Sequence, residues 1–339
     1  MKVLDHVVGE LAWRYLCVYQ RSHDVGHSRS MSTWRIRNNF FAMYMENSVY
    51  AFGPLLCGIL VKRINRFVSL VSICDEDGKL FEAECYMANP GSMLGMCVKG
   101  SELRLSLAVS ATRKFPYTVE AIKIKETWIG CNTHLANIIA KKILLDRFMC
   151  NEIGMSCFDS LSTEVSLGNS RFDFVLSNLH PPLKRIVEVK TVTMASDWFD
   201  VERQNLRADR LVRNFPVERP LECVIPGTAL FPDCKSIRAL KHVDELLRLT
   251  RTGSTESFLF FMVMRDDVDA VAASVFCDPQ YAQGLKDAMQ KGVRVIAMTF
   301  RLDVTDPNRS HVYLIRSIPV QLIETPETEY SRPSKRRKK

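Results

Sequence analysis

Two apolar stretches in the second half of the chain carry charges where strands usually carry none. If Arg185-Ile-Val-Glu-Val-Lys190 is a strand, Ile186, Glu188 and Lys190 share one face while Val187 and Val189 take the other. A carboxylate and an ammonium are then set side by side. Just upstream, Arg171-Phe-Asp-Phe-Val-Leu176 puts Phe172, Phe174 and Leu176 on one face and Asp173 on the other with Val175. Burying a lone carboxylate is costly unless it is paired or binds a cation, so Asp173 asks for a partner. If the two strands are antiparallel neighbours, Asp173 and Glu188 converge on one hard cation, Mg²⁺ or Mn²⁺, with Lys190 beside it. Metal-assisted phosphodiester hydrolysis uses these groups. Carboxylates hold the ion, the ion polarises the phosphate and acidifies a water, and a lysine steadies the nucleophile or the developing charge. The spacing D-x14-E-x-K is loose, and a salt bridge between strand residues is the alternative reading.

Several elements would have to position these groups. Residues 58–63, 67–73, 81–87 and 103–108 read as short strands between turns such as Asp75-Glu-Asp-Gly78 and Asn89-Pro-Gly-Ser92, and residues 118–125 alternate cleanly as one more. Short strands without a long helix predict a small barrel or sandwich. After Gly130 the period changes: Leu135, Ile138, Ile139, Ile143 and Phe148 recur at helical spacing, with Lys141 and Lys142 turned away. Strands are expected near 164–167, 171–177, 184–192, 257–264 and 293–300, with helices near 236–248 and 279–290. This order predicts a mixed sheet with helices packed on it, an α+β or mixed α/β class. A polar, Arg-rich stretch runs through residues 194–228.

The 339 residues are enough for two domains, and 47% hydrophobic with 25% charged residues excludes collagen-like, mucin-like and wholly disordered classes. The longest uncharged stretch, Asn47 to Val61, is shorter than the roughly 20 apolar residues of a spanning helix, so no membrane partner is expected. Glu10 and Arg14 break the N-terminal apolar residues before a signal peptide forms, which points to an intracellular protein. Eleven cysteines without a C-x-x-C pair then read as reduced, buried thiols rather than disulfides or a zinc site. The net charge of +8 is mostly local: six basic residues lie between Arg332 and Lys339, leaving the body nearly balanced. That tail resembles a nuclear localisation signal, and the arginines of residues 1–50 resemble an organellar transit segment; a solvated tail and a plain extension are the alternatives, and a cytoplasmic location stays open.

An ordered series of motifs is more specific than any of these signals. It comprises Leu60-Val-Lys-Arg-Ile-Asn-Arg-Phe67, Asn89-Pro-Gly-Ser-Met93, Arg113-Lys-Phe-Pro-Tyr-Thr118, Trp128-Ile-Gly-Cys-Asn-Thr133, Ser170-Arg-Phe-Asp-Phe174, Val187-Glu-Val-Lys-Thr-Val-Thr193, Phe231-Pro-Asp233, Arg238 and Lys241-His-Val-Asp-Glu-Leu246. Through them the chain resembles the family of the bacterial sugar fermentation stimulation protein A. The resemblance implies an N-terminal OB-like barrel (residues 55–126) and a PD-(D/E)xK restriction-endonuclease-like domain (127–325, with an insertion at about 194–228 that reads as a surface loop over one end of the site). An extension (1–54) and a basic tail (326–339) flank them. It implies DNA as partner, Asp173 and Glu188 as metal ligands, and Lys190 as the active-site lysine. Asn132 and Asn137 match family positions near the site. Basic residues within or beside the motifs, Arg63, Arg66, Arg113, Lys114, Arg238 and Lys241, are the expected DNA contacts.

The chain departs from the family pattern in two places. Tyr86-Met-Ala-Asn-Pro-Gly-Ser-Met93 lacks a His and a Thr usual in that run, and Ile237 stands where the family carries an acid. The set of Asp173, Glu188 and Lys190 makes the expected function a Mg²⁺-dependent nuclease, with a non-catalytic DNA-binding regulatory protein linked to sugar metabolism as the alternative. A homodimer stays open. His242 is expected to pack or cap rather than act.

Overall fold

A computed structural model describes residues 48–324 except 76–77, 109–111, 147–157, 181, 209–217 and 254. Residues 1–47 and the basic tail, with the targeting signals read there, lie outside the described residues. The chain runs β1 (Ser48–Ala51), β2 (Leu56–Asn65), β3 (Val68–Cys74), β4 (Leu80–Met87), β5 (Glu102–Leu107), β6 (Tyr117–Ile124), β7 (Thr127–Gly130) and α1 (His134–Leu145). It continues through β8 (Ser160–Leu167), β9 (Ser170–Leu179), β10 (Pro182–Val192), β11 (Met194–Ala195), α2 (Trp198–Ala208), a 3-10 turn (Leu221–Val224) and β12 (Thr228–Phe231). The last elements are α3 (Ile237–Thr250), β13 (Thr255–Val263), β14 (Ala270–Ala273), α4 (Pro279–Gln290), β15 (Arg294–Asp303), β16 (His311–Ser317) and β17 (Val320–Gln321).

Alternation of buried and exposed residues in β2 to β6 folds one face inward. β2 pairs antiparallel with β3 and β5, β3 with β4, and β5 with β6, and a short parallel contact between β4 and β6 at Tyr86–Thr118 and Met87–Val119 closes five strands into a barrel. Leu60, Val71, Ile73, Met87, Leu103, Leu105, Val119 and Ile122 fill it. At Gly58 an added Cβ would lie 2.7 Å from Val71 Cγ1 and 2.9 Å from Leu105 Cδ1, so only glycine lets β2 cross the core this closely. This is the OB-like barrel.

The second half is a seven-stranded mixed sheet in the order β1-β16-β15-β13-β10-β9-β8, with β10, β13 and β15 mutually parallel. In β13 every residue from Ser257 to Val263 is buried, and Phe258–Val263 is the uninterrupted apolar run of a central parallel strand covered on both faces. α1 packs on β10 and β1, α3 on β13 and β9, and α4 on α3. Phe172, Val175, Ile186, Val243, Leu246, Leu259, Phe261 and Leu285 belong to the resulting core. A smaller sheet, β11-β12-β14-β17, stands beside it. Among the described residues no helix is long and apolar enough to cross a membrane.

Several expectations need correction. Ser48–Ala51, set apart as extension, pairs with β16 and covers an edge that would otherwise expose unpaired backbone groups. Where it is described, the stretch after Val192 is not a surface loop. Its Trp198 and Phe199 are buried in a cluster with Met194, Cys223, Leu230 and Ala272, and their apolar area outweighs the polar residues around them. In α1, Ile138 is 55% exposed while the small Ala136 and Ala140 face inward, letting the helix sit close to the sheet. Of the described cysteines, Cys85, Cys131 and Cys223 are buried, Cys57 is exposed and the remainder are half-buried.

Candidate active site

β9 and β10 pair antiparallel from Leu179–Pro182 to Phe174–Val187. The next pair in that register would be Asp173 with Glu188, and there the ladder stops. Instead, Asp173 Oδ2 accepts the backbone N–H of Val189 at 2.7 Å, and Oδ1 accepts Nδ2 of Asn137, from α1, at 2.7 Å. A side chain takes the place of a ladder bond. Strict alternation fails at this point: Phe172 joins Val175 and Ile186 in one core cluster, although the sequence put Phe172 and Val175 on opposite faces. Across β8, Glu164, between the Thr163–Phe174 and Val165–Phe172 pairs, has a φ of 55°, a local irregularity of β8 opposite Asp173.

Glu188 is 3% exposed. Its Oε1 accepts from Lys190 Nζ at 2.5 Å and meets Nδ1 of His242 from α3. Lys190 Nζ also lies 3.4 Å from His242 Nδ1. The other oxygen, Oε2, is buried without a hydrogen-bond partner. An orphaned carboxylate oxygen inside a protein is expensive, and it marks where a cation or water would be held. Burial, then the charge of Glu188, pushes the Asp173 carboxyl above its ordinary range despite the two donors. Burial also acts upward on Glu188, but the His242 hydrogen bond and the charge of Lys190 outweigh it and hold that carboxyl below its ordinary range. The result is a dependable anion beside a carboxyl that ionises reluctantly, a pairing that a divalent cation would stabilise.

Both carboxylates and Lys190 open onto a cleft of about 480 Å³, also lined by Arg66, Asn89, Gly91, Asn137, Asp233 and Arg238. The barrel contributes one wall through the turn after β2 and the Asn89–Met93 loop. Arg63 holds that loop: its Nη1 donates to Ser92 O at 2.7 Å, and its Nη2 donates to Gly91 O at 2.8 Å, Arg66 O at 2.8 Å and Asn89 O at 3.1 Å. From the sheet side, Asp233 Oδ2 accepts the Met93 N–H at 2.7 Å. A Cβ on Gly91 would lie 2.3 Å from the Asp233 oxygens, so a larger residue there would displace the carboxylate that holds the loop.

Of the residues expected to act, Asp173, Glu188, Lys190, Arg66 and Arg238 therefore meet at one cleft. Arg63 does not meet a ligand there, because its guanidinium is committed to backbone carbonyls. Lys241 is exposed on α3 outside the cleft lining. Arg113 and Lys114 lie on the barrel over the Tyr86 and Phe115 rings. Asn132 donates to buried Glu120 at 2.9 Å rather than to the site. Ile237, in the acid's place, is 77% exposed and outside the cleft lining, so the exchange removes no carboxylate from it. His242, expected from sequence to pack or cap, lies on the buried face of α3 with Ala239, Val243 and Leu246 and meets Glu188, a contact its place in the Lys241–Leu246 motif does not display. Among the described residues no group of three or more His, Cys, Asp and Glu side chains could hold a metal.

Two family models match the chain. One described as the SfsA N-terminal OB domain covers residues 61–131, and one described as the sugar fermentation stimulation protein RE domain covers 134–201 and 220–306. Within the second match, residues 202–219 are left unmatched. A sugar fermentation stimulation protein homolog of Citrifermentans bemidjiense is 33% identical over 270 residues, 79% of this chain and 98% of that protein. That of Acaryochloris marina is 30% identical over 263 residues, 76% and 92% of the two chains. The fold is similar to that of Pyrococcus furiosus SfsA, solved in complex with Ca²⁺, with a TM-score of 0.62 at 19% identity over 81% of this chain and 99% of the other. With its barrel, its mixed sheet and relatives matched over nearly their whole length, the chain belongs to the sugar fermentation stimulation protein family.

Proposed function

We propose that the chain is a divalent-metal-dependent nuclease acting on DNA, its second domain a PD-(D/E)xK fold. The observation that carries this is the convergence of Asp173 and Glu188 at one cleft, with Glu188 Oε2 buried and unpartnered and Lys190 on the same strand face. The donor set suits a hard cation. Two carboxylates without a third anionic ligand leave room for water and phosphate oxygens, which is how Mg²⁺ usually binds at phosphate-processing sites. That P. furiosus SfsA was solved in complex with Ca²⁺ supports a divalent ion at a protein of this fold. When bound, the ion would neutralise phosphate charge and acidify a water.

The chain's own residues have separate tasks. Asn137 and the Val189 N–H aim the Asp173 carboxylate. His242 and Lys190 share Glu188 Oε1, which keeps Glu188 ionised and leaves Oε2 for the ion. Lys190 Nζ, released from Glu188 when phosphate arrives, would meet the nucleophile or the developing negative charge. Arg66 and Arg238, exposed on opposite walls of the cleft, suit the phosphates on either side of the bond broken. The test is incubation of the purified chain with plasmid, duplex and single-stranded DNA in Mg²⁺, Mn²⁺ or EDTA. Metal-dependent cleavage that Glu188→Gln abolishes is expected; absence of cleavage on every form sinks the nuclease reading and leaves the non-catalytic DNA-binding alternative.

A further inference from the structure

Next to Arg66, on the outside of the barrel, three aromatic side chains gather away from the core. Phe67 is 44% exposed, and with half-buried Tyr86 and Phe115 it lines a shallow depression of about 490 Å³ shared with Arg113, Lys114 and His134. The Arg113 guanidinium lies 5.3 Å from the Tyr86 ring centroid, and Lys114 Nζ lies 5.1 Å from that of Phe115. The backbone under these rings is held in place. The Phe67 N–H donates to Asn65 Oδ1 at 2.9 Å and its carbonyl accepts the Met87 N–H at 2.8 Å. Tyr86 sits in the pair that closes the barrel, and beside Phe115 the Pro116 carbonyl accepts the Ala108 N–H at 2.7 Å. Phe67 follows Arg66 and His134 follows Thr133, and Arg66 and Thr133 line the cleft, so depression and cleft are lined by adjacent residues at two points of the chain.

We propose that this depression is a single-stranded DNA subsite, in which unpaired bases stack on Phe67, Tyr86 and Phe115 while Arg113, Lys114 and Arg66 meet the phosphates. The inference rests on the reading of the cleft as a DNA-cleaving site and adds the form of its substrate. Aromatic faces beside cations suit single strands because every base offers a face and every nucleotide a charge. A duplex keeps its base faces inside the stack and offers these rings nothing. The nearby acid Glu120 is buried beneath, accepting from Ser106 and Asn132, and presents no carboxylate to the surface. Exposed Glu82 and Glu84, upstream of Tyr86 on β4, mark where the positive surface ends.

The experiment uses the full chain in EDTA, so that cleavage does not enter, and follows fluorescence anisotropy of a labelled oligo(dT) and of a duplex of the same length, about 20 nucleotides, enough to span such a platform. Phe67→Ala with Phe115→Ala should weaken single-strand binding about tenfold or more and duplex binding far less, whereas Phe67→Tyr with Phe115→Tyr should retain it. Unchanged single-strand affinity, or equal loss on both forms, overturns the proposal. In the unmutated chain, ultraviolet cross-linking to bromouracil-substituted single strands should label the peptides carrying Phe67, Tyr86 or Phe115, and labelling confined elsewhere overturns it too. Because binding is read without metal, absence of cleavage leaves this result standing. Cleavage without a stacking effect would leave the cleft reading intact and remove only the subsite.

Discussion

His242 Nδ1 meets Glu188 Oε1 in the buried interior, tying α3 to β10 across 54 positions of sequence. A carboxylate oxygen only accepts, so the proton of this contact is on Nδ1. His242→Ala leaves a buried anion with one fewer donor, and hydrogen bonds to charged groups are worth about 2 kcal/mol. We expect a loss of that size in urea unfolding without metal, partly recovered when Mg²⁺ supplies positive charge. An unchanged midpoint would mean that Lys190 alone satisfies Glu188.

Metal affinity should depend on pH through Asp173. Its carboxyl is raised by burial and by Glu188, so just above the ordinary carboxylate range the folded protein still holds a proton that the ion must displace. Affinity then falls about tenfold for each unit of pH below that raised value and levels off above it. Glu188, held low, is already ionised throughout this window. Without metal the signs for stability are opposite. The Asp173 contribution is present at low pH and lost as pH rises through its folded value, while that of Glu188 is present above its unfolded value and lost as pH falls through its folded one. Calorimetric titration with Mn²⁺ from about pH 5 to about pH 8 reads the slope, and Asp173→Asn should flatten it.

Arg63 and Arg66 look alike in sequence and should behave differently. Arg63→Ala removes the donors to four loop carbonyls and should cost about 2 kcal/mol or more of stability, seen as a lower unfolding midpoint. Arg66→Ala should leave stability within about 0.5 kcal/mol, weaken DNA binding and reduce its salt slope by about 1. Reversed effects would mean that the loop is held by other contacts.

This pair shows what the sequence could not display. Two arginines three residues apart carry the same charge, and only the position of the Asn89–Ser92 carbonyls decides which one is structural. Asp173, Glu188 and Lys190 were legible because charges inside apolar strands are anomalous in themselves. Their common cleft followed from the antiparallel pairing of β9 with β10, but the break in alternation at Asp173 did not, since it depends on Asn137 and on the Val189 N–H. The barrel was legible as a run of short strands, and its closure by the two β4–β6 pairs was not. β1, β14 and β17 are too short for a period to show, and they exist because neighbouring strands offer them free edges.

Gly91→Ala tests whether the barrel loop must seat against the sheet domain. The added Cβ would stand 2.3 Å from both Asp233 oxygens, so the carboxylate must turn away and release the Met93 N–H. Stability should fall by about 1–3 kcal/mol, the range for leaving a buried donor unsatisfied. The cleft should also widen on the barrel side, weakening DNA binding. Asp233→Ala combined with Gly91→Ala should cost little more than either alone, because both break the same contact. Additive losses in a double-mutant cycle would show that Gly91 serves some other purpose.

Lys190 and Glu188 separate an enzyme from a binder. Lys190→Ala removes the charge beside the proposed reacting phosphate and leaves both carboxylates in place. Turnover should fall about 100-fold or more, the usual effect of losing one preorganised donor to developing charge. DNA affinity should change by only a few-fold, because attraction to a polyanion is spread over many phosphates. Glu188→Gln should abolish metal-dependent turnover and also the metal-induced rise in thermal midpoint, since the ion loses the carboxylate whose Oε2 stands unpartnered. Removing negative charge from the cleft should at the same time leave DNA binding equal or tighter. Both variants are measured for cleavage and for binding in the same buffer, so that a folding defect, which lowers both, is told apart from a catalytic one, which lowers the first alone. If both cleave like the unmodified chain, the scissile phosphate sits elsewhere and the Asp173–Glu188–Lys190 cluster serves only to hold β9, β10 and α3 together.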